Sequence, residues 1–325
     1  MRYFLTGATG FIGGRVARQL RDAGHEVVAL VRDPAATADL AALGVELAAG
    51  DILETETLRS PMRGADGVFH LAAWYRLGAR DRGRARAINV DGTRNVLEAA
   101  RGAGVPRVVY TSSLAVFGDT GGRVVDESYR MAGPWLSEYD RTKWLAHYEV
   151  ALPMIEAGLP LIILQPGLVH GPGDHSNVGA ALRDYLRGRL PATPDQGGCW
   201  SLVDDTARAH LLAMERGRPG ATYIIGGPPR MWKDILALAE EITGIRAPRF
   251  VLPAPVARLA SAVMKPVAAV APLPPMYHPE TLRVAAGSTY FGDDARARRE
   301  IGWDPRPLRD ALEITLAAER RALGL

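Results

Sequence analysis

Three glycines at three-residue spacing directly follow the first apolar segment of the chain. "RYFLTG" (2–7) reads as a strand, and "TGATGFIGGRVARQL" then continues into a helix, with Gly7, Gly10 and Gly13 at the join. These glycines allow, in order, a tight turn, a close approach of the backbone to a pyrophosphate, and close packing of the helix on the sheet. The helix N-terminus offers free N–H groups and a favourable dipole to an anion. The pattern predicts a dinucleotide site that includes Thr9, Phe11 and Ile12. A tight connection without a ligand is the alternative.

Short apolar segments alternate with longer helical patterns over the first two thirds of the chain. The apolar residues run through these segments without alternating, which is typical of strands covered on both faces. The predicted strands are 2–7, 26–31, 45–50, 67–72, 107–112 and 161–166. Their βαβα order predicts an α/β fold, a doubly wound Rossmann sheet with helices on both faces, in which ligands bind at the carboxyl ends of the strands.

The alternation weakens after about residue 170, where proline and glycine become frequent. "HGPGDHSN" and "PATPDQGG" read as loops, whereas "CWSLVDD" and "ATYIIGG" (221–227) read as returns to the sheet. We therefore predict two interleaved parts. Residues 1–169 and 199–227 form the dinucleotide-binding domain, and residues 170–198 and 228–325 form a smaller, mostly helical substrate-binding part.

Composition narrows the class of protein further. The 325 residues are 47% hydrophobic and 23% charged, with a net charge of +3, which indicates a globular chain and argues against a nucleic-acid partner. A single cysteine, Cys199, excludes an internal disulfide and a cysteine-cluster metal site. The N-terminus does not resemble a signal peptide. We expect a cytoplasmic protein without a structural metal.

The ends of the second and third strands carry candidate cofactor contacts. In "LVRDP", Arg32 stands where a carboxylate would hold the ribose 2′-hydroxyl of NAD, and a guanidinium there suits the 2′-phosphate of NADP. Asp33 is displaced by one position and would point to the other face if the strand continued. Asp51 and Ile52 of "GDILE" follow the third strand at the expected height of the adenine, although a helix N-cap explains Asp51 equally well. We predict a preference for NADPH, with NAD as the alternative.

Lysine is rare in this chain, which makes each one informative. Only three of the 39 lysines and arginines are lysines, and Lys143 stands four residues after Tyr139 in "SEYDRTKW" (137–144). "YTSSLAVFGD" brings Thr111, Ser112 and Ser113 to the carboxyl end of the fifth strand, at the rim of the glycine turn. Solvated polar residues on a surface helix are the alternative reading. Because that helix should begin near the same rim, we expect a serine, the tyrosine and the lysine to converge beside a nicotinamide.

The chemistry of such a group is coherent. A phenol shuttles protons near neutrality only if its pKa falls by about two or three units, and an ammonium at roughly 4 Å supplies an interaction of that order. We expect Lys143 to lower the pKa of Tyr139 while it donates to the nicotinamide ribose. Ser113 would hold the substrate oxygen and Tyr139 would transfer the proton as the hydride moves, with Thr111 and Ser112 on the cofactor side.

At this point the sequence resembles the extended short-chain dehydrogenases/reductases, also called the NAD-dependent epimerase/dehydratase family. The similar segments are "TGATGFIG", "FHLAA", "INVDGTRNVLEAA", "YTSSLAVFG", "YDRTK" and "QPGLVHGPGD". The resemblance implies that Ser113 is the substrate-binding serine, with Ser112 less favoured, and that Asn89 sets the active-site helix. It also implies cofactor contacts from the ends of the fourth and sixth strands, at Leu71, Ala72, Ala73, Pro166, Gly167 and Val169.

Two departures bear on the subfamily. Gln165 stands where the sugar-nucleotide enzymes usually have an arginine, and "VRDP" resembles the dihydroflavonol 4-reductase-like and 3β-hydroxysteroid dehydrogenase-like branches, which include bacterial hopanoid-associated sugar epimerases. The resemblance implies an NADP(H)-dependent oxidoreductase acting on a carbonyl or secondary alcohol of a rather apolar small molecule. A nucleotide-sugar epimerase or dehydratase with tightly bound NAD is the first alternative. A non-catalytic NADP-sensing or scaffold protein is the second, although such relatives typically lose the tyrosine or the lysine.

Residues 251–276 form the least charged stretch of the chain. They hold two charges, Arg258 and Lys265, and six prolines, which rule out a membrane-spanning helix there. The segment predicts one short helix with an apolar stripe, Val256, Leu259, Ala260 and Val263. This stripe would either pack onto the substrate part or form a lid over the cleft. A peripheral membrane contact and a dimer contact are further options. Met264 and Met276 would be adaptable contacts, and Trp74, Tyr75 and Trp135 lie on the presumed substrate side. We also expect a homodimer.

Overall fold

A parallel sheet forms the centre of the protein in the computed structural model, which describes residues 1–75, 81–131, 133–271, 273 and 277–325. Its strands are β1 (Arg2–Thr6), β2 (Glu26–Val31), β3 (Glu46–Ala49), β4 (Gly67–His70), β5 (Val108–Thr111), β6 (Leu161–Pro166) and β9 (Thr222–Ile225). They are ordered β3-β2-β1-β4-β5-β6-β9, with every neighbouring pair parallel. The order reverses between β1 and β4, so the crevice of this doubly wound sheet opens at their carboxyl ends.

The strands predicted from apolar segments are confirmed with small changes at their ends. β2 and β6 have the predicted bounds, and the others are one or two residues shorter at one or both ends. Side chains on both faces are buried, as expected for a sheet covered on two sides; Phe4 and Leu5, which point to opposite faces of β1, are each 0% exposed.

Helices cover the two faces of the sheet. The α-helices are α1 (Phe11–Asp22), α2 (Ala38–Ala42), α3 (Thr55–Met62), α4 (Arg82–Arg86), α5 (Thr93–Gly102), α6 (Glu138–Leu145), α7 (Leu152–Glu156), α8 (Asn177–Leu186), α9 (Val203–Arg216), α10 (Trp232–Thr243), α11 (Ala254–Val270), α12 (Pro279–Val284), α13 (Ala295–Ile301) and α14 (Leu308–Leu323). Helices α1 and α9 share one apolar core with the sheet, and α3, α5 and α6 share the other. Single π-helical segments join α4 to α5 and α6 to α7.

A second, smaller sheet corrects one expectation. It contains β7 (Leu168–His170), β8 (Asp195–Leu202), β10 (Pro229–Met231) and β11 (Ala286–Tyr290). The segment "CWSLVDD" was predicted to return to the main sheet, but its strand is part of β8, because β8 pairs with β7, β10 and β11. Only the following helix, α9, packs on the main sheet. The domain boundaries near residues 170 and 199 remain predictions, and β7 and β8 run across them.

Helix α11 differs from the short helix expected in residues 251–276. It has 17 residues and continues through Pro266. Val256, Leu259 and Val263 of the predicted stripe are 51%, 67% and 58% exposed, whereas Ala257 on the other side of the helix is fully buried. The interpretation of this stripe as core packing is therefore wrong. Met276 lies outside the described residues.

Candidate active site

The glycine turn between β1 and α1 leaves no room for side chains. Gly7 has a φ of 78°, and a Cβ there would lie 2.6 Å from the backbone nitrogen of Ala72. A Cβ on Gly13 would collide with the carbonyl of Gly7, so the helix packs against the turn itself. Helix α1 begins after Gly10 without a side-chain cap, which leaves its first N–H groups directed at the crevice for an anion. The turn fits a dinucleotide pyrophosphate.

The loop after β4 forms the facing wall of this crevice. Leu71 and Ala72 are partly exposed and Ala73 is exposed. The N–H of Leu71 donates to the Thr6 carbonyl at 3.2 Å, and that of Ala72 to Thr6 Oγ1 at 3.3 Å. These two hydrogen bonds hold the loop after β4 against the end of β1 at the switch point, where the sequence predicts the cofactor.

Arg32 and Asp33 follow β2 at one end of the crevice. Asp33 Oδ1 accepts a hydrogen bond from the N–H of Ala35 at 3.0 Å and caps a short 3₁₀ turn. Arg32 is exposed, and its guanidinium makes no hydrogen bond or ion pair with another of the described residues. A ligand can therefore reach Arg32 without breaking an existing contact.

Asp51 and Ile52 follow β3 in a tight turn. Asp51 Oδ1 accepts from the N–H of Leu53 at 3.0 Å, and α3 begins only at Thr55, so Asp51 is not the helix N-cap considered as its alternative. Ile52 is 7% exposed and packs on Gly92, whereas Leu53 is 42% exposed. Leu53 is the exposed apolar side chain of this turn, and sequence reasoning missed it.

Helix α6 carries Tyr139 and Lys143 to the carboxyl end of β5. Ser137 caps the helix by accepting from the N–H of Asp140 at 3.1 Å, so the chain enters the helix immediately before the tyrosine. Tyr139 is partly exposed, and the side chain of Ser113 lies close enough to lower its pKa. Lys143 is buried one helical turn further on, and its Nζ donates to the Thr111 carbonyl at 2.8 Å.

The three hydroxyls after β5 have different partners. Ser113 also accepts from the N–H of Ala115 at 3.1 Å, Ser112 Oγ hydrogen-bonds His147 Nδ1 at 2.9 Å, and Thr111 Oγ1 hydrogen-bonds His210 Nε2 at 2.8 Å. Ser113 is the hydroxyl that meets Tyr139. Ser112 and Thr111 hydrogen-bond buried histidines.

Burial dominates the electrostatics of the pair and corrects one expectation. Desolvation raises the pKa of Tyr139 to about 12, although the neighbouring Ser113 side chain opposes this rise. Desolvation also lowers the pKa of Lys143 to about 7. The expected lowering of the Tyr139 pKa by Lys143 is therefore wrong, because Nζ is engaged by the Thr111 carbonyl at 2.8 Å and by the Tyr110 hydroxyl at 3.3 Å. Tyr139 is a protonated acid at neutral pH.

Asn89 connects the crevice to the helix that carries Tyr139. It lies in the π-helical segment before α5, and its Oδ1 accepts from the N–H of Trp74 at 2.6 Å. Its Nδ2 donates to the Trp74 carbonyl at 3.0 Å and to Thr142 Oγ1 at 2.9 Å. The side chain thus ties the loop after β4 to α6, in agreement with the role implied by the family resemblance.

Three tyrosines complete the surroundings of Tyr139. Tyr75 meets it edge to face at 4.8 Å between ring centroids, and Tyr110 lies under Lys143 with 4.9 Å between Nζ and the ring centroid. Tyr290 on β11 donates to Asp140 at 3.0 Å. Tyr75 follows a strand end and was noticed in the sequence, but Tyr290 lies 150 residues from its partner and has no local signal.

The segment after β6 passes the same end of the sheet. Gln165 and Pro166 are buried in β6, and Gly167 and Val169 are partly exposed. A Cβ on Gly167 would collide with the Cys199 carbonyl on β8, which explains the glycine at the crossing of the two sheets. Gln165 Oε1 is buried without a hydrogen-bond partner among the described residues. Trp135 packs edge to face on Trp144.

A dinucleotide crevice at the switch point, opening on a tyrosine and a lysine one helical turn apart, is the arrangement of an NAD(P)-dependent oxidoreductase built on a Rossmann sheet. The match to a family model makes the assignment specific, since residues 3–226 match the NAD dependent epimerase/dehydratase family. The chain belongs to this family, whose members are extended short-chain dehydrogenases/reductases.

Relatives of known name cover nearly the whole chain. A candidate dihydroflavonol 4-reductase of Synechocystis sp. is 34% identical over 95% of this chain and 92% of its own length. Sterol demethylase protein B of Methylococcus capsulatus is 32% identical, over 98% of both chains. Among solved structures, a nucleoside-diphosphate-sugar epimerase from Pseudomonas aeruginosa is 25% identical, with a TM-score of 0.80 over 100% of this chain and 98% of its own. The chain is similar to reductases and to epimerases.

Proposed function

We propose that the protein is an NADP(H)-dependent reductase/dehydrogenase of a carbonyl or secondary alcohol on a rather apolar substrate. The observation that carries the proposal is the placement of Tyr139 beside Ser113, one helical turn before the buried Lys143 and at the rim of the glycine turn. A bound reduced nicotinamide supplies the hydride to the carbonyl carbon. The residues of the chain then have to hold the carbonyl oxygen and deliver one proton to it.

Tyr139 and Ser113 suit these two tasks. Tyr139 donates its phenolic proton to the carbonyl oxygen as negative charge develops there, and its raised pKa keeps it protonated at neutral pH. Ser113 donates a hydrogen bond to the same oxygen and stabilises its charge. In the reverse direction Tyr139 accepts the proton of the alcohol. Lys143, whose Nζ is held at this end of β5 by the Thr111 carbonyl, would donate to the nicotinamide ribose when the cofactor is bound.

The cofactor preference that we propose is NADPH. Arg32 is exposed and uncommitted among the described side chains, whereas Asp33 already caps the following turn. A guanidinium pairs with a phosphate through two hydrogen bonds, which a ribose hydroxyl cannot match. The turn at Gly7, Gly10 and Gly13 would hold the pyrophosphate, and the residues proposed along the rest of the cofactor are Thr9, Phe11, Ile12, Asp51, Ile52, Leu71, Ala72, Ala73, Thr111, Ser112, Pro166, Gly167 and Val169.

An apolar substrate is supported by the surroundings of Tyr139. Tyr75 lies against it with 42% of its surface exposed, and Gln165 replaces the arginine usual in sugar-nucleotide enzymes. The family includes relatives with apolar compounds in their names, such as sterol demethylase protein B. A partly exposed aromatic ring beside the proposed acid offers a stacking partner to a flat apolar substrate.

A side-by-side assay of two substrate classes tests the proposal. The purified protein is given NADPH with cyclic or aromatic ketones, and separately UDP- and GDP-sugars with either cofactor. We expect NADPH oxidation with the ketones and no conversion of the nucleotide sugars, with Tyr139→Phe as the control that removes only the transferable proton. Conversion of a nucleotide sugar without turnover of any ketone would overturn the proposal.

The second candidate is a nucleotide-sugar epimerase or dehydratase. It is favoured by the similarity to the Pseudomonas aeruginosa epimerase, which extends over the full chain. Such an enzyme recycles its cofactor within one turnover and gains from holding NAD tightly. Mass spectrometry of the purified protein distinguishes the two, because NAD(H) retained through purification supports the epimerase and its absence supports the reductase. Turnover in either assay excludes the non-catalytic sensor.

A further inference from the structure

Helix α11 presents a continuous apolar stripe to solvent. The stripe consists of Val256, Leu259, Val263, Val267 and Val270, which are 51%, 67%, 58%, 38% and 85% exposed. At about 100° per residue, these five positions fall within an arc of about 80° on one side of the helix. The buried side is held to the protein by Ala257 and by Ser261, whose Oγ donates to the Pro279 carbonyl at 2.8 Å.

The stripe belongs to a local concentration of exposed apolar side chains. Of the thirteen large hydrophobic residues that are exposed in the described parts of the chain, seven lie in residues 250–277. Besides the stripe they are Phe250 and Tyr277, which are 59% and 51% exposed and flank α11. Exposed apolar residues scattered singly are normal in globular proteins, whereas a contiguous group marks a binding surface.

The segment of the sequence that contains the stripe carries charges of one sign. No aspartate or glutamate occurs between Glu241 and Glu280, although the chain as a whole carries 36 acidic residues in 325. Four cations occur in the same interval, Arg246, Arg249, Arg258 and Lys265, and all four are exposed. Arg249 is paired with Glu240 at 3.0 Å, and Arg258 and Lys265 lie about 140° and 160° around α11 from the centre of the stripe. An exposed apolar stripe in a segment of net positive charge is complementary to a surface that is apolar inside and negatively charged outside, which the long basic side chains can reach.

The same charges argue against a second copy of the chain as the occupant. A two-fold interface places the same patch on both partners, so the exposed cations of the segment, of which Arg249 alone forms an ion pair among the described residues, would accumulate on both sides of it. The interval between Glu241 and Glu280 provides no acid to pair with them. Like charges across an interface disfavour association. The predicted homodimer would use another surface.

One helix, α12, lies between the stripe and the helix of the proposed active site. Helix α11 packs on α12, and Glu280 of α12 accepts a hydrogen bond from the N–H of Glu138 at 3.3 Å. Glu138 is the first residue of α6 and directly precedes Tyr139. A surface that binds α11 is therefore close to the helix that carries the proposed acid.

We propose that the stripe of α11 docks the protein on an anionic lipid bilayer, where an apolar substrate would be collected. The second half of this statement rests on the function proposed above, whereas the docking does not. The attachment is peripheral, since none of the helices in the described ranges has the length and hydropathy needed to cross a bilayer. Apolar side chains would enter the interface, and the exposed basic side chains of the segment would extend towards the lipid headgroups.

Vesicle flotation with the full chain tests the docking. The probes are vesicles of phosphatidylcholine alone and of phosphatidylcholine mixed with phosphatidylglycerol. We expect binding to the mixed vesicles that weakens with added salt, and at least about tenfold weaker binding by Leu259→Ser/Val263→Ser, which removes two side chains from the interface. The matched control is Val124→Ser/Ile314→Ser, which changes two exposed apolar residues elsewhere and should bind as the wild type does.

A second variant keeps the test independent of any folding defect. Arg246→Gln/Lys265→Gln leaves the stripe intact and should lose about tenfold in affinity for the mixed vesicles, together with most of the salt dependence. Equal flotation of wild type and both variants, or no flotation of the wild type, would overturn the docking. So would a concentration-dependent dimer in light scattering that the stripe variant abolishes. Turnover of a water-soluble ketone by the stripe variant reports on the proposed function separately.

Discussion

The glycine turn and helix α11 are both surfaces that the chain leaves uncovered, but for opposite physical reasons. At the turn, Gly7, Gly10 and Gly13 remove side chains so that backbone N–H groups meet a ligand. At α11, large apolar side chains remain although nothing in the described chain covers them. The first surface can be recognised from local sterics alone. The second becomes visible only when the tertiary structure shows which face of the helix is buried.

Removing the proton of Tyr139 is expected to have the largest effect. Tyr139→Phe should reduce turnover by a factor on the order of a hundred or more, because general acid catalysis is lost, while the affinity for the cofactor stays nearly unchanged. Steady-state kinetics and a cofactor titration measure the two quantities. Lys143→Ala is the comparison, and it should reduce both. If Tyr139→Phe keeps more than about a tenth of the turnover, the proton donor is another group.

Filling the glycine turn should be nearly as damaging. Gly13→Ala places a Cβ against the Gly7 carbonyl, and we expect a loss of about 1–3 kcal/mol in the free energy of unfolding together with weaker cofactor binding. Gly102→Ala is the matched control, since a Cβ there meets no atom within 4 Å. Chemical denaturation and cofactor titration measure both effects. Equal behaviour of the two variants would mean that the turn can relax and that its glycines are not needed for close approach.

The choice between the two cofactors should depend on one side chain at the end of β2. Arg32→Asp is expected to lower the affinity for NADPH by about tenfold or more and to reverse the preference, because the guanidinium is replaced by a group that repels the 2′-phosphate. Fluorescence titration with NADPH and NADH checks this. Equal affinity of the wild-type protein for the two cofactors would contradict the assignment of Arg32.

The pH dependence of the reaction should come from the titration of Tyr139 and not from the charges of α11. Burial raises the pKa of Tyr139 to about 12, so its deprotonated form is scarce at neutral pH. Alcohol oxidation needs that form as a base, and its rate should rise by about tenfold per pH unit above neutrality. Carbonyl reduction needs the protonated form and should show no such rise. A plateau of the oxidation rate near pH 7 would show that the Tyr139 pKa is lowered in the working complex.

The main sheet and much of the site could be predicted because their signals are local. Continuous apolar segments predicted β1 to β6 and β9, and the spacing of Tyr139 and Lys143 placed both residues on one side of α6. Contacts between distant segments could not be predicted in this way. β8 leaves the main sheet because it pairs with β10 and β11, and Tyr290 reaches Asp140 across 150 residues. The pKa of Tyr139 likewise depends on burial, which spacing does not reveal.

The smallest expected effect tests whether the apolar stripe of α11 is uncovered in solution. Leu259 is 67% exposed on α11 and Leu236 is 1% exposed on α10, so the same truncation can be compared in two helices. Leu236→Ala should cost about 2–5 kcal/mol through the lost burial and the cavity. Leu259→Ala should change the free energy of unfolding by less than about 0.5 kcal/mol in the absence of vesicles, because the side chain has no partner to lose. A cost for Leu259→Ala that approaches that of Leu236→Ala would mean that the stripe is already covered in solution. If the stability loss of Leu259→Ala increased with protein concentration, a second copy of the chain would cover the stripe. The cations of α11 would then pair with acidic residues elsewhere on that copy.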